Sequence, residues 1–330
     1  MAPECVQAAG RNPRQWNREK SPVSKVELEL VTDGLEFPEG PVAMADGSVI
    51  LVEIRRKTLT RVTPDGKATV IAELGGGPNG AAIGPDGAVY VTNNGGFNWV
   101  QRPDGTLAPH TQPDDYAGGS IQRVDLATGK FTTLYTEGGG RKLRGPNDLV
   151  FDQEGGFWFT DLGKHDDERM DLGHLYYARA DGSQIIKARS GLQTPNGVGL
   201  SPDGKTVHVA ETRTSRVWSF AITGPGQVAT STDRYAQHGV MGPLPGYQLL
   251  DSLAVEADGR VCVATIANGG VTVFNPADGS HDHIAVPDVL TTNICFGGAD
   301  MRDAWITASS TGKLYKCRWP RPGLKLNYNA

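Results

Sequence analysis

Residues 194–210 read TPNGVGLSPDGKTVHVA and contain two short apolar runs separated by a turn. The Asp203–Gly204 pair supplies the positive-φ position that a tight hairpin requires. Residues 205–210 alternate and include β-branched side chains, which is typical of a strand. A third such run at 216–220 and a fourth at 227–230 complete the pattern. This segment therefore predicts one four-stranded antiparallel sheet.

The motif that opens this segment has a polar residue, Asn196, directly before the first apolar run. Similar motifs with a polar residue at the same place occur five more times in the chain. Successive polar residues are about 40 to 70 residues apart, which is the length of propeller blades with loop insertions. We find no amphipathic helix longer than about two turns. The predicted fold is all-β, a six-bladed β-propeller, in which the innermost strands begin around one central channel. Six side chains would form a ring there: Glu39, Asn79, Asn147, Asn196, Asp251 and Asn293.

The last repeat contains three predicted strands and no fourth, because Pro320 and Pro322 follow the third. Residues 26–30 alternate and precede the first repeat. We predict that they form the outer strand of the last blade, which would close the ring and leave no free edge between the chain ends. Residues 1–22 are polar and are predicted to be a flexible arm, and residues 23–330 a single propeller domain.

Composition excludes several classes of protein. The net charge of −5 argues against a nucleic-acid surface, and no apolar run approaches the length of about 20 residues that spans a bilayer. The N-terminus does not look like a secretory signal. The four cysteines, none in a CxxC pair, are predicted to be reduced thiols, which fits a cytoplasmic enzyme. The oligomeric state stays open.

The segments at 37–41, 145–148, 194–197, 251–255 and 292–298 together resemble the SMP-30/gluconolactonase/luciferin-regenerating family of calcium-dependent six-bladed propellers. Members of that family are mostly lactonases, and some hydrolyse organophosphates. The resemblance implies that the metal ligands of this chain are Glu39, Asn147, Asn196 and Asp251. Such oxygen ligands suit Ca²⁺ best, Mg²⁺ or Mn²⁺ next, and Zn²⁺ less well.

The chain departs from the family in two places. Sugar-lactone members have an arginine two residues before the asparagine that corresponds to Asn147, and this chain has Gly145 there, with Arg144 as the nearest arginine. Residues 93–119 form a long insertion that contains Trp99 and His110. A loop of this length inside a compact domain is often a lid or binding loop. Its aromatic residues predict a substrate less polar than a sugar lactone.

The predicted function is Ca²⁺-dependent hydrolysis of a lactone or related cyclic ester. The ion would polarise the carbonyl, and Asp251 would assist the attacking water as a base or attack directly as a nucleophile. Two alternatives stay open: a hydrolase of organophosphates or other esters, and a non-catalytic binding scaffold with a structural ion. Residues predicted to bind the substrate or support the ligands are Asn79, Arg144, Asp148, Asn293, His110 and Trp99.

Overall fold

The computed structural model describes residues 26–166, 168–230 and 239–328. These residues build six antiparallel sheets, and no helix occurs in them. The innermost strand of each sheet contacts the innermost strands of the two neighbouring sheets, and the sixth contacts the first. The fold is therefore an all-β, six-bladed propeller, as predicted. The described ranges therefore contain no helix that is long and apolar enough to cross a membrane.

The first three blades each have four strands, which follow one another from the channel outward. Blade one consists of Pro38–Ala43, Val49–Glu53, Thr58–Val62 and Ala68–Glu73. Blade two consists of Pro78–Ile83, Val89–Asn93, Ser120–Val124 and Phe131–Tyr135. Blade three consists of Pro146–Phe151, Gly156–Asp161, Gly173–Arg179 and Ile185–Leu192. Two small hairpins stand apart from these sheets: Trp99–Gln101 with Leu107–Pro109, and Glu137–Gly138 with Arg141–Lys142.

The other three blades differ in how their outer edge is formed. In blade four, two short strands pair with the third strand; the blade consists of Pro195–Leu200, Thr206–Glu211, Arg216–Gly224, Gln227–Val228 and Gly239–Met241. Blade five consists of Leu249–Val255, Val261–Ile266, Gly270–Phe274 and His281–Ala285. Blade six consists of Thr291–Gly297, Asp303–Ala308, Lys313–Arg318 and, outermost, Glu29–Thr32.

The N-terminal strand of blade six begins three residues later than predicted. Glu29 lies opposite Lys316, an opposite-charge cross-strand pair, and the register shifts by a bulge before Thr32. Val26 and Leu28 pack against the core of blade six without belonging to the strand. The alternation in 26–30 therefore predicted correctly that these residues pack on blade six. It predicted the start of the hydrogen-bonded strand three residues too early. The predicted arm, residues 1–22, lies outside the described residues.

A β-bulge lies at the ring position of every blade. A bulge bends its strand and redirects the local side chain, so the same irregularity turns six polar residues towards the channel axis. The register between the first two strands of each blade shifts between Glu39 and Val42, Pro78 and Ala81, Pro146 and Leu149, Pro195 and Val198, Leu250 and Leu253, and Thr291 and Asn293.

The glycine that follows the ring residue in several blades lets adjacent innermost strands approach closely. A Cβ atom at Gly80 would lie 2.6 Å from the backbone oxygen of Asn147, and one at Gly197 would lie 2.6 Å from the backbone nitrogen of Leu253. Any larger residue would push the neighbouring blade away. The repeated Asn-Gly pair is therefore a packing feature of the ring.

The C-terminal tail covers the end of the channel opposite the ring residues. Below the ring, the channel encloses a cavity of about 70 Å³ that is lined in part by Leu324 and Leu326 of the tail. The Leu324 N–H donates to Val255 O at 2.8 Å, and Asn327 Nδ2 donates to Phe151 O at 3.0 Å. These bonds fix the tail to blades five and three, so a ligand approaches the ring from the other face.

The cysteines in the described ranges agree with the prediction of reduced thiols. Cys262, Cys295 and Cys317 are all free, and burial raises the pKa of Cys295 to about 12. A buried thiol with a raised pKa is a poor nucleophile, so these residues serve packing. Cys5 lies outside the described residues.

Candidate active site

The structure brings all six predicted ring residues to one end of the channel, and all six are buried. Neighbouring members touch: Asn293 Nδ2, from blade six, donates to Glu39 Oε2, from blade one, at 2.9 Å. The carboxylate of Asp148, which follows Asn147, lies within electrostatic range of those of Glu39 and Asp251. Blades one, three, five and six thus contribute to one cluster.

Glu39 is the carboxylate of blade one. Its Oε2 accepts hydrogen bonds from the Gly40 N–H at 2.8 Å and from Asn293 Nδ2 at 2.9 Å. Burial raises the pKa of Glu39 to about 7, although these donors act in the opposite direction. The carboxyl is thus held in a fixed orientation in a place where a negative charge is poorly solvated.

Asp148 and Asp251 are in the same situation. Burial and the neighbouring Glu39 raise the pKa of Asp148 to about 7, against the hydrogen bonds from the Val198 and Leu149 N–H groups. Burial, followed by the charge of Glu39, raises the pKa of Asp251 well above its ordinary value, and a hydrogen bond with Asn196 opposes the shift. A positive charge near these carboxyl groups would relieve the repulsion between their ionised forms.

The two asparagines are positioned by hydroxyl groups of other strands. The Thr92 hydroxyl donates to the backbone oxygen of Asn147, and the Thr160 hydroxyl donates to that of Asn196. Asn196 Nδ2 donates to the Thr212 hydroxyl at 3.2 Å, which orients its amide. Asn147 Oδ1 is buried and has no hydrogen-bond partner. A buried amide oxygen normally accepts a bond, so this one is free to coordinate a ligand.

These residues fit a hard divalent cation. Glu39, Asn147, Asn196 and Asp251 supply two carboxylates and two amide oxygens, and Ca²⁺ prefers oxygen ligands of this kind. The orphaned oxygen of Asn147 and the raised pKa values of the carboxyls are both relieved by a positive charge. No cluster of three or more His, Cys, Asp or Glu side chains that could hold a metal occurs in the described ranges. The candidate set differs from such a cluster because half of it is amide.

The other residues predicted to bind the substrate or to support the ligands lie in three places: in the ring, at its rim and on the protein surface. Asn79 and Asn293 belong to the ring. Arg144 lies at the rim, where its Nε is 2.7 Å from Asp171 Oδ2, so its guanidinium is engaged in an ion pair. Trp99 is in ring contact with Phe37, two residues before Glu39, with the ring centres 4.9 Å apart. The His110 side chain is exposed at the end of the hairpin formed by the insertion.

Lys164 is a residue of this region that the sequence analysis missed. It is buried, and its Nζ donates to Gly96 O at 3.0 Å and lies 4.6 Å and 5.0 Å from the ring centres of Phe97 and Tyr116. Burial lowers the pKa of Lys164 to about 8. One signal was available: the second strand of blade three ends at Asp161, opposite Pro146 at the start of the first strand, so the loop that follows, with Lys164, lies on the ring face.

Comparison with known proteins finds relatives that cover most of this chain. The family model described as "SMP-30/Gluconolactonase/LRE-like region" matches residues 37–310. A gluconolactonase of Zymomonas mobilis is 24% identical over 82% of this chain and 76% of its own length. The diisopropyl-fluorophosphatase of Loligo vulgaris is 26% identical over 92% of this chain and 96% of its own.

A solved structure supports the fold. The calcium-binding protein regucalcin from Agrobacterium tumefaciens superposes with a TM-score of 0.70, covering 93% of this chain and all of that chain, at 18% sequence identity. At this identity the likeness bears on the fold alone. The superposition and the repeat pattern of the ring residues in this chain therefore both support a six-bladed propeller.

Proposed function

Because this chain belongs to the SMP-30/Gluconolactonase/LRE-like family, we propose that it is a Ca²⁺-dependent lactonase. The observation that carries the proposal is the ring itself, which combines buried carboxyls of raised pKa with a buried amide oxygen that has no hydrogen-bond partner. The curated relatives support the class of reaction, since they include a gluconolactonase and proteins named lactonase. Hydrolysis of a cyclic ester is the chemistry common to these names.

In this proposal Glu39, Asn147, Asn196 and Asp251 hold the ion. When bound, a divalent cation supplies Lewis acidity that polarises a carbonyl and stabilises the developing oxyanion. Two carboxylates balance the charge of one divalent ion, which reduces the cost of burying the site. Asn293 keeps Glu39 in place through its hydrogen bond, and Thr92 and Thr160 hold the backbone of the two asparagines. We rank Ca²⁺ above Mg²⁺, Mn²⁺ and Zn²⁺ as the ion bound at this site.

Asp251 has the chemical role. Its carboxylate accepts a proton from water as the water oxygen bonds to the carbonyl carbon, and the ring C–O bond then breaks. The departing alkoxide takes up a proton, so the product is a hydroxy acid. The same carboxylate is also placed for direct attack, in which case water releases the product from an acyl intermediate on Asp251. The carboxylate of Asp148 accepts hydrogen bonds from the Val198 and Leu149 N–H groups, and in this proposal Asp148 supports the ligand residues without binding the ion.

One relative favours a second candidate function. The similarity to the diisopropyl-fluorophosphatase extends over nearly the full length of both chains, which makes hydrolysis of a phosphorus ester at the same ring the alternative. A non-catalytic scaffold with a structural ion is the third candidate. The substrate is a small molecule in either enzymatic case, and we place the enzyme in the cytoplasm because the cysteines are predicted to be reduced.

The experiment is acid release in a pH-stat from a panel of lactones and from diisopropyl fluorophosphate. We expect at least one lactone to be hydrolysed with Ca²⁺ present, the rate to fall to background in excess chelator, and Ca²⁺ to restore it. Hydrolysis of the phosphorus ester alone would favour the second candidate. Hydrolysis unaffected by chelator would refute metal dependence, and a bound ion without any hydrolysis would favour the scaffold.

A further inference from the structure

The insertion of blade two emerges on the face of the ring residues. It follows Asn93, which pairs with Pro78, the residue directly before Asn79. Within it, Trp99–Gln101 and Leu107–Pro109 form a hairpin. Residues 94–119, which we call the roof, therefore begin at the rim of the channel and extend above the side from which a ligand must approach.

The roof contacts blades on both sides of the channel. The Leu107 N–H donates to Ser310 O of blade six at 2.9 Å. Trp99 packs on Phe37, at the entrance of blade one, and the same apolar cluster includes Ile266 of blade five. Ile266 packs against the buried members of that cluster, so the roof and blade five border one apolar surface on the ring face.

Lys164 fixes the roof on the remaining side. It lies in the loop after the second strand of blade three, and its Nζ donates to Gly96 O at 3.0 Å. The rings of Phe97 and Tyr116 lie on either side of that ammonium group. The roof is thus held by blades one, three and six at the face that carries the ring residues.

The underside of the roof is apolar. Phe97, Trp99 and Ile266 are partly buried, and each keeps some exposed surface. Phe37 lies two residues before Glu39, and Ile266 pairs with Leu249, two residues before Asp251. At about 3.3 Å per residue, these side chains stand roughly 7 Å above the ring. A polyol bound there would bury hydroxyl groups against rings that offer them no partner, which is unfavourable.

We propose that the roof selects the substrate, a lactone with an apolar alkyl or aryl substituent that packs against Phe97, Trp99 and Ile266. This inference rests on the proposed lactonase activity of the ring. The lactone carbonyl then faces Asn147 and Asp251, and the substituent points away from the ring into the space below the roof. A sugar lactone fits this arrangement poorly, because its hydroxyl groups meet the same apolar surface.

The first test uses the wild-type protein and a series of δ-lactones whose side chain is hydrogen, methyl, propyl or pentyl, with glucono-δ-lactone for comparison. Each methylene that becomes buried should raise kcat/KM by about fourfold until the underside is filled. We expect glucono-δ-lactone to be the poorest substrate of the set. Acid release at saturating Ca²⁺ gives kcat/KM for each compound.

The second test removes one aromatic side chain. Trp99→Ala should lower kcat/KM for the pentyl lactone at least tenfold more than for the unsubstituted one, and Trp99→Phe should keep most of the preference. Val100→Ala is the matched control: Val100 is the next residue of the same strand, its side chain is 42% exposed, and all four rates should stay as in the wild type. A melting curve for each variant shows whether it is folded.

The outcomes separate the two proposals. A series that is flat, or that falls with chain length, while lactones are still hydrolysed overturns the role of the roof and leaves the lactonase intact. Equal losses for short and long lactones in Trp99→Ala also overturn it, since Trp99 would then act on the fold alone. If no lactone is hydrolysed, the proposed function fails and the substrate inference fails with it. The wild-type series decides even if Trp99→Ala does not fold.

Discussion

Asp251→Asn should leave a protein that binds Ca²⁺ and hardly turns over. An amide in place of the carboxylate keeps one coordinating oxygen, but it neither accepts a proton from water nor attacks a carbonyl. We expect kcat to fall about 10²- to 10⁴-fold if Asp251 is the general base, and further if it is the nucleophile. The measurement is turnover of the best lactone at saturating Ca²⁺.

Glu39→Gln is the matched control for that variant. Both changes convert a buried ring carboxylate into an amide, and both lower the negative charge of the site by one. No chemical step is assigned to Glu39, so its variant should bind Ca²⁺ more weakly and regain much of its activity when the ion is in excess. Equal recovery of the two variants would show that Asp251 is only a ligand. The proton acceptor would then be sought first at Asp148, the other carboxylate of the cluster.

Deletion of residues 1–32 should cost the protein its folded, unaggregated state. The deletion removes Glu29–Thr32, the outer strand of blade six, together with Val26 and Leu28, which pack against the core of that blade. Lys313–Arg318 would become an unpaired edge, and an exposed edge strand pairs with other chains. We expect aggregation, or a large drop in melting temperature, in light scattering and thermal unfolding.

The control deletion ends at Lys20, before the described residues begin. It should leave the melting temperature and the light scattering unchanged, since it removes no residue that the structure describes in blade six. If the longer deletion behaves like the shorter one, the N-terminal strand contributes little to the ring. Blade six would then be stable with its three C-terminal strands alone.

The fold and the ring were predictable because both repeat. A polar residue at the same place in six similar segments is visible without any structure, and the antiparallel order of each blade places it at the channel. The bulges that turn Asn147 or Asp251 to the axis were not predictable, because a bulge depends on how two strands pair. The roof shows the same limit. Lys164 and Gly96 lie 68 positions apart, and no local pattern in the sequence connects them.

The start of the N-terminal strand illustrates a smaller failure of the same kind. Alternation in 26–30 predicted a strand correctly in type, but pairing with Lys313–Arg318 fixed the register, and that pairing begins at Glu29. The exposure of His110 was not predictable from the sequence either, because a histidine fits on either face of a short hairpin. In each case the missing information is a contact between segments far apart in the chain.

Calorimetric titration of the metal-free protein with Ca²⁺ tests the central claim, a single ion bound by the ring, most directly. Without an ion the pKa values of Glu39 and Asp148 are about 7, so both carboxyls are mostly protonated at pH 6 and mostly ionised at pH 8. An ion that binds the ionised form must displace protons at pH 6, and it should bind more tightly at pH 8. We predict about one ion per chain, the number that one four-ligand site implies, with a heat that depends on the buffer more strongly at pH 6 than at pH 8. Absence of binding, or binding that Asn147→Leu leaves unchanged in affinity, would contradict the account.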